Sequence, residues 1–178
     1  MKFSEIFTSK ESIQLDKKTL VILRWIAIVG QFFTISIVYF FLNFKLPFFY
    51  CSLIIMIGVL SNIYLQFKVR ENQLSNFSST VYLLYDLIQL AALLYLTGGI
   101  TNPFTILLVV PAIVSSTFLS LRSTLNLSFF TTIVLLILTF YHLPLPYSGD
   151  LHFHVPNYYL YAIPTAVIIG LIFLTYFG

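Results

Sequence analysis

Six long apolar stretches constrain the fold of this chain more than any other feature of its sequence. A bilayer core takes about 20 residues of α-helix, and each stretch is long enough to cross it. The sequence therefore predicts an all-α integral membrane protein with six transmembrane helices. The predicted spans cover residues 19–41, 46–67, 80–97, 103–121, 125–143 and 157–177.

The composition excludes several classes of protein. Only 8% of the residues are charged and 59% are hydrophobic, whereas a soluble domain carries about 25% charge. A soluble enzyme and a disordered chain are excluded on this ground. Nucleic-acid binding is excluded as well, because the nine basic residues are scattered rather than gathered in a patch.

The basic residues also predict an orientation in the membrane. If the spans alternate, eight of the nine lie on one side, and only Lys45 lies on the other. The eight are Lys2, Lys10, Lys17, Lys18, Arg24, Lys68, Arg70 and Arg122. Since Lys and Arg are enriched in cytoplasmic loops, we expect both termini in the cytoplasm. Residues 1–18 then form a cytoplasmic leader, and residues 19–178 form the transmembrane domain.

The sixth predicted span reaches residue 177, and no basic anchor follows it. Polar residues usually hold the last helix of a membrane protein at the interface. We therefore expect that the chain is the membrane part of a longer protein, with a short natural tail as the alternative.

Two ionisable side chains, Arg24 and Asp86, lie well inside predicted spans. A charge inside the bilayer costs several kcal/mol unless it is paired or wetted. Both lie about six residues from the cytoplasmic end of their spans, so an ion pair between the first and third helices is one interpretation. The other is that Arg24 extends to the headgroups alone while Asp86 is protonated.

Further polar side chains recur at helical spacing in the spans. In the third span, Tyr82, Asp86, Gln89 and Leu93 share one face. Ser61, Asn62 and Gln66 in the second span and Gln31 in the first are also polar. A polar stripe of this kind faces other helices or a cavity rather than lipid, and we predict interhelical hydrogen bonds.

The link between the third and fourth spans, residues 98–104, has the residues of a tight turn. Gly98 or Gly99 is suited to a left-handed helix end, Asn102 to a helix cap, and Pro103 to the first helical position. Free N–H groups there, together with Asn102 and the ring of Phe104, would suit an amphipathic carbonyl compound such as a quinone. On spacing alone a plain turn is the better interpretation. If a quinone binds, we expect Asn102→Ala or Phe104→Ala to weaken binding with little effect on the fold.

Residues 85–104 resemble the third membrane helix and following loop of the RegB/PrrB/ActS family of redox-responsive sensor histidine kinases. The family's GGxxNPF heptad is matched at every specified position by residues 98–104, and residues 23–31 resemble the start of its first helix. The resemblance implies a sensor of the quinone pool, with ubiquinone or a related quinone as ligand. The quinone-binding residues that it implies are Gly98, Gly99, Asn102, Pro103 and Phe104.

The resemblance also implies a place in a signalling pathway. Proteins of this family lie in the bacterial inner membrane, form dimers and carry cytoplasmic kinase domains that phosphorylate a histidine and a response regulator. This chain has no asparagine box and no glycine-rich ATP site, so it would sense without phosphorylating. Cys51 lies in a membrane span and does not correspond to the family's cytoplasmic redox cysteine.

Other interpretations stay open. A six-helix substrate-binding subunit of a membrane transporter has the same length and number of spans, and a structural subunit of a respiratory complex is a third possibility. His142, His152 and His154 lie near one another in sequence, but solvated histidines are a better interpretation than metal ligands. No metal site is predicted.

Overall fold

Six α-helices follow one another in the computed structural model, which describes residues 15–70, 72–144 and 156–177. We number them in chain order. They are α1 (Lys17–Ser36), α2 (Phe48–Lys68), α3 (Asn76–Leu96), α4 (Val110–Phe118), α5 (Leu121–Phe140) and α6 (Asn157–Phe177). A π-helical turn, Ile37–Phe41, extends α1, and two 3₁₀ segments, Gly99–Thr101 and Pro103–Val109, precede α4.

Five of the helices are long and apolar enough to cross a membrane, and a shorter apolar helix, Pro103–Phe118, supplies the sixth. The described residues contain no strand beyond an isolated bridge between Asp16 and Gln73. The predicted all-α membrane fold with six helices is confirmed. The side of the membrane on which the termini lie stays a prediction.

The fourth span differs from the predicted α-helix over 103–121. It ends at Phe118, and its first seven residues form a 3₁₀-helix. Pro111 explains the change, because it has no N–H for the carbonyl of Leu107, which instead accepts from Val110 in the 3₁₀ pattern. At 2.0 and 1.5 Å per residue, the two parts together span about 28 Å, close to the thickness of a bilayer core.

Two helices begin about one turn before the membrane spans that the sequence predicts. Helix α5 begins at Leu121 rather than 125, because Ser120 caps it by accepting a hydrogen bond from the N–H of Ser123 at 3.4 Å. Helix α3 begins at Asn76 rather than 80, with Ser75 as its cap. In both cases the first turn of the helix is polar and precedes the apolar stretch that defines the predicted span.

The segments that precede α1, α3 and α5 meet at one end of the bundle. A buried cluster joins Leu15 before α1, Leu74 before α3 and Leu119 before α5. The ammonium group of Lys17 donates to the carbonyl of Val69 at 2.8 Å, which ties the start of α1 to the end of α2. The helices therefore alternate in direction as the charge pattern requires.

The largest apolar cluster lies among α3, the fourth span, α5 and α6. It buries Leu87 and Leu94 of α3, Leu135 of α5 and Leu171 of α6. Helix α1 packs elsewhere, against α2. This arrangement leaves α1 facing α3 and α4 across a space that contains the candidate site.

Candidate ligand cavity in the membrane domain

A cavity of about 630 Å³ lies between α1, α3 and the fourth span. It extends from the turn at residues 102–104 to the side chains of Arg24 and Asp86. Ile26 and Leu107 line it and are exposed on the side of the bundle, so the cavity opens toward lipid. Its volume lies within the range of about 300–1,000 Å³ that is typical of small-molecule sites.

Small residues on α1 create part of this space. Ala27 and Gly30 line the cavity, and no atom lies within 4 Å of the position that a Cβ on Gly30 would take. Arg24, Gln31 and Thr34 line it from the same helix. The spacing from 24 through 27 and 31 to 34 marks one helical face, and this pattern is visible in the sequence.

The end of the cavity farthest from residues 102–104, which we call its inner end, contains the ion pair predicted between Arg24 and Asp86. Arg24 Nε lies 2.9 Å from Asp86 Oδ1, and Arg24 Nη2 donates to Ser61 Oγ at 3.0 Å. The Arg24 side chain is 3% exposed and that of Asp86 is 26% exposed. Of the two interpretations of these charges, the structure shows the ion pair between α1 and α3.

Two aromatic rings complete the surroundings of the Arg24 guanidinium. Its central carbon lies 5.4 Å from the ring centre of Tyr82 and 5.2 Å from that of Tyr85. Arg24 Nη1 is buried without a hydrogen-bond partner among the described residues. The electron-rich faces of the two rings attract the guanidinium charge and so offset part of the cost of leaving Nη1 without a hydrogen bond.

Two amides bridge α1 and α3 further along the cavity. Gln89 Nε2 donates to Gln31 Oε1 at 3.2 Å. The amide of Gln89 passes beside Gly58 of α2, where a Cβ would overlap it. Asn62 of α2 donates to the Val21 carbonyl at 3.2 Å, as predicted for an interhelical bond, whereas Gln66 is exposed and takes no part.

The outer end of the cavity is the turn at residues 98–104. Gly98 and Gly99 both have positive φ, 105° and 56°, so each takes the left-handed conformation that the sequence required of one. Asn102 caps the 3₁₀-helix, because its Oδ1 accepts from the Phe104 N–H at 2.9 Å. Pro103 takes the first helical position.

The hydrogen bonds inside this turn revise the expected role of Asn102. Its Nδ2 donates to both the carbonyl and the hydroxyl oxygen of Thr97, at 3.0 and 2.8 Å. The side-chain nitrogen of Asn102 and the Phe104 N–H are therefore already bonded within the turn. We now expect Asn102→Ala to disturb the turn itself, contrary to the sequence-based expectation of little effect on the fold.

The five residues that the resemblance implies for quinone binding separate into two groups. Asn102, Pro103 and Phe104 line the cavity. Gly98 and Gly99 are buried and do not line it. Gly99 lies against His142, whose ring a Cβ at this position would overlap. The two glycines therefore shape the turn, and the next three residues present the surface that a ligand can touch.

Two of the three histidines, His152 and His154, lie outside the described residues. His142 is described, and its Nδ1 lies 2.9 Å from the Leu138 carbonyl. Among the described residues, no group of His, Cys, Asp or Glu side chains is arranged to hold a metal ion. Cys51, on α2, is buried in an apolar cluster with Ile28 of α1 and Ile55 of α2.

The six apolar helices of the described residues, with a buried ion pair between α1 and α3, define a multi-pass membrane domain. Comparison with known proteins gives the family. The chain belongs to the PilS-like transmembrane domains, whose family model matches residues 20–177.

The predicted resemblance to RegB proteins is confirmed by two relatives. The chain is 34% identical over 158 residues to the sensor histidine kinase RegB of Cereibacter sphaeroides, which covers 88% of this chain and 34% of RegB. A second RegB of that species is 35% identical over 75 residues, 42% of this chain and 16% of the relative. The chain thus spans about a third of the length of the first relative. No solved structure matches it.

Proposed function

We propose that this chain is the sensor domain of a redox-responsive histidine kinase and that it senses the membrane quinone pool in the cavity between α1, α3 and the fourth span. The observation that carries the proposal is the course of the cavity. It begins at residues 102–104 of the heptad, continues into the bundle and opens toward lipid. Quinones reside in lipid, so this opening gives them a path of entry.

The outer end of the cavity suits a quinone ring through packing rather than through hydrogen bonds to the turn. Phe104 is 41% exposed and lines the cavity beside Pro103. An aromatic side chain pairs well with a flat ring in an offset or edge-on arrangement. The isoprenoid tail would then follow the apolar opening between α1 and the fourth span.

The same turn is connected to the last helix. Ile100 in the turn and Leu108 in the 3₁₀-helix belong to the buried cluster that contains Val167 and Leu171 of α6. A shift of the turn on ligand binding would therefore displace side chains packed on α6. In the whole protein, α6 would pass the signal to cytoplasmic kinase domains.

The remaining steps follow the RegB-like relationship. The full-length protein would act as a homodimer in the bacterial inner membrane, with both termini in the cytoplasm. Its kinase domains would phosphorylate a histidine from ATP and transfer the phosphoryl group to a response regulator. The chain itself would supply ligand binding and no catalysis.

Binding of decylubiquinone to the purified chain in lipid nanodiscs tests the proposal. Phe104→Ala removes the ring at the outer end of the cavity, and we expect binding to weaken about five- to tenfold. Phe129→Ala is the matched control, because Phe129 is 63% exposed on α5 and does not line the cavity. It should bind as the unaltered chain does.

Two results would contradict the proposal in different ways. If the Phe104 and Phe129 variants bind decylubiquinone equally well, the quinone ring does not bind at the outer end of the cavity. If the unaltered chain takes up no more decylubiquinone than empty nanodiscs do, the quinone is not its ligand. Empty nanodiscs are therefore included, since decylubiquinone partitions into lipid by itself.

A further inference from the structure

A second cavity, of about 540 Å³, lies between α3 and α5 near the end of the bundle where both helices begin. It shares no lining residue with the cavity beside α1. Leu127, which is buried, lines it together with Phe77 and Val81, which are 80% and 47% exposed. The cavity is therefore a groove on the outer surface of the bundle, open to lipid, and we call it the α3–α5 groove. Further along, the two helices pack closely through the cluster that contains Leu87 and Leu135, so the groove ends there.

The lining of the α3–α5 groove changes from polar to apolar with depth in the membrane. Arg122 and Asn126 line it from the first two turns of α5, near the end of the bundle. Phe130 lines it eight residues after Arg122, which corresponds to about 12 Å along the helix axis. Leu84 of α3 also lines the deeper part. A phospholipid in one leaflet has the same order, with its phosphate at the interface and its acyl chains toward the bilayer centre.

The polar part of the groove has hydrogen-bond donors that the protein does not use. The side chains of Arg122 and Asn126 have no hydrogen bond or ion pair with another described residue. They are four residues apart and therefore share one face of α5. The guanidinium offers five N–H donors and the amide two, and a guanidinium matches a pair of phosphate oxygens. Thr80 adds an acceptor, because its own hydroxyl proton is donated to the Asn76 carbonyl at 2.7 Å.

The charge of the groove favours an anionic head group over a zwitterionic one. Arg122 lines the groove, and no acidic side chain among the described residues does. The ammonium of a choline or ethanolamine head group would find no carboxylate there, whereas a head group that carries only the phosphate charge is matched by Arg122. We expect this end of the bundle in the cytoplasm, and the cytoplasmic leaflet is the one with a negative surface potential from anionic lipid.

We propose that the α3–α5 groove binds one anionic phospholipid of the leaflet in which α3 and α5 begin. The lipid phosphate accepts hydrogen bonds from Arg122 and from the Asn126 amide. One acyl chain lies along Val81, Leu84 and Phe130, and this apolar part distinguishes a lipid from a soluble phosphate ester. Both the ligand and the cavity differ from those of the proposed function, so neither proposal depends on the other.

Native mass spectrometry of the purified chain, released from detergent micelles, tests the proposal. The first bound lipid is titrated with phosphatidylglycerol and with phosphatidylcholine of the same acyl chains. We expect phosphatidylglycerol to bind about fivefold more tightly, the contribution of one basic side chain beside anionic lipid. In Arg122→Gln this preference should disappear. Arg70→Gln is the matched control, because Arg70 is exposed at the same end of the bundle and does not line the groove. It should keep the preference.

Two further measurements separate a lipid from a soluble phosphate ester. Val81→Trp fills the apolar part of the groove without changing its charge, and it should weaken binding of both lipids to a similar extent. Glycerol 1-phosphate, which has the phosphate and no acyl chain, should not displace phosphatidylglycerol even in large excess. Thermal unfolding in detergent without added lipid should be the same for Arg122→Gln and the unaltered chain, because Arg122 has no partner to lose among the described residues.

Several results would refute the proposal. If the unaltered chain binds both lipids equally, or if the Arg122 and Arg70 variants lose the preference equally, the groove does not select an anionic head group. If Val81→Trp leaves both affinities unchanged, no acyl chain lies in the groove. Displacement of phosphatidylglycerol by glycerol 1-phosphate would identify a site for soluble phosphate esters instead.

Discussion

Helix α3 meets α5 through leucines on one side, whereas on the side of α1 polar side chains join buried leucines, Leu83 and Leu93, which share apolar clusters with α1. On the first side, Leu87 and Leu94 are buried with Leu135 and Leu138 in the largest apolar cluster. On the second side, Arg24 binds Asp86 and Gln31 binds Gln89 across the cavity. The same helix thus takes part in a close-packed interface and in an open one.

The difference shows where a membrane protein can keep space for a ligand. Lipid is as apolar as leucine, so apolar contacts stabilise a helix interface only when they are closely packed, and such an interface has no room. Long polar side chains span a distance without filling it. The side of α3 that is held by Arg24 and Gln89 can therefore contain a cavity of about 630 Å³.

Exchanging the charges of Arg24 and Asp86, on the open side of α3, is expected to change the free energy of unfolding most. Arg24→Asp or Asp86→Arg alone places two like charges at the inner end of the cavity and should lower the free energy of unfolding by at least about 3 kcal/mol. The double variant restores an ion pair and should recover more than half of that loss. Unfolding in mixed detergent and SDS micelles measures both.

Arg122→Glu is the control for the exchange, because Arg122 is exposed in the first turn of α5. We expect it to change the free energy of unfolding by less than about 0.5 kcal/mol. A double variant no more stable than either single variant would show that α1 is held to α3 by something other than this pair.

Gly99→Ala, in the turn that follows α3, is expected to have the next largest effect on stability. Its φ of 56° is strained for any residue with a Cβ, and the Cβ would overlap the His142 ring. Together these should cost about 2–3 kcal/mol of stability. Thermal unfolding in detergent measures the loss.

Gly170→Ala in α6 is the matched control, since no atom lies within 4 Å of its Cβ position and its φ is ordinary. It should be neutral or slightly stabilising. In a His142→Gly background, which removes both the ring and the Cβ that the new methyl group would overlap, the Gly99 substitution should cost less, because only the backbone strain remains. An unchanged cost in that background would mean that the ring moves aside freely.

The sequence was sufficient for those features that one residue type dictates. Apolar length predicted the six helices, the cost of a charge in lipid predicted that Arg24 and Asp86 need partners, and paired glycines predicted the left-handed turn. It was not sufficient where several residues compete for one group. The amide of Asn102 appeared free because its bonds to Thr97 form only after both glycines have turned the chain back.

The cavity was not predicted for a related reason. Its walls are ordinary apolar side chains, and what distinguishes them is the distance between α1 and α3. That distance depends on how α1 packs against α2. Ala27 and Gly30 give the local reason for the space, but small residues on a helix face also allow two membrane helices to pack closely.

Breaking the hydrogen bond between α5 and α6 is expected to have the smallest effect and tests the close-packed side. Ser128 and Thr175 hydroxyls lie 2.9 Å apart, and Thr175 donates to the Leu171 carbonyl, so Ser128 is the donor in the pair. Ser128→Ala should cost only about 0.6 kcal/mol in mixed-micelle unfolding, because apolar packing holds this side together.

Thr165→Val is the control, since Thr165 bonds only within its own helix. A loss above about 2 kcal/mol for Ser128→Ala, with the control unchanged, would mean that polar contacts hold both sides of the bundle. The contrast between the two faces of α3 would then not explain why the cavity lies beside α1.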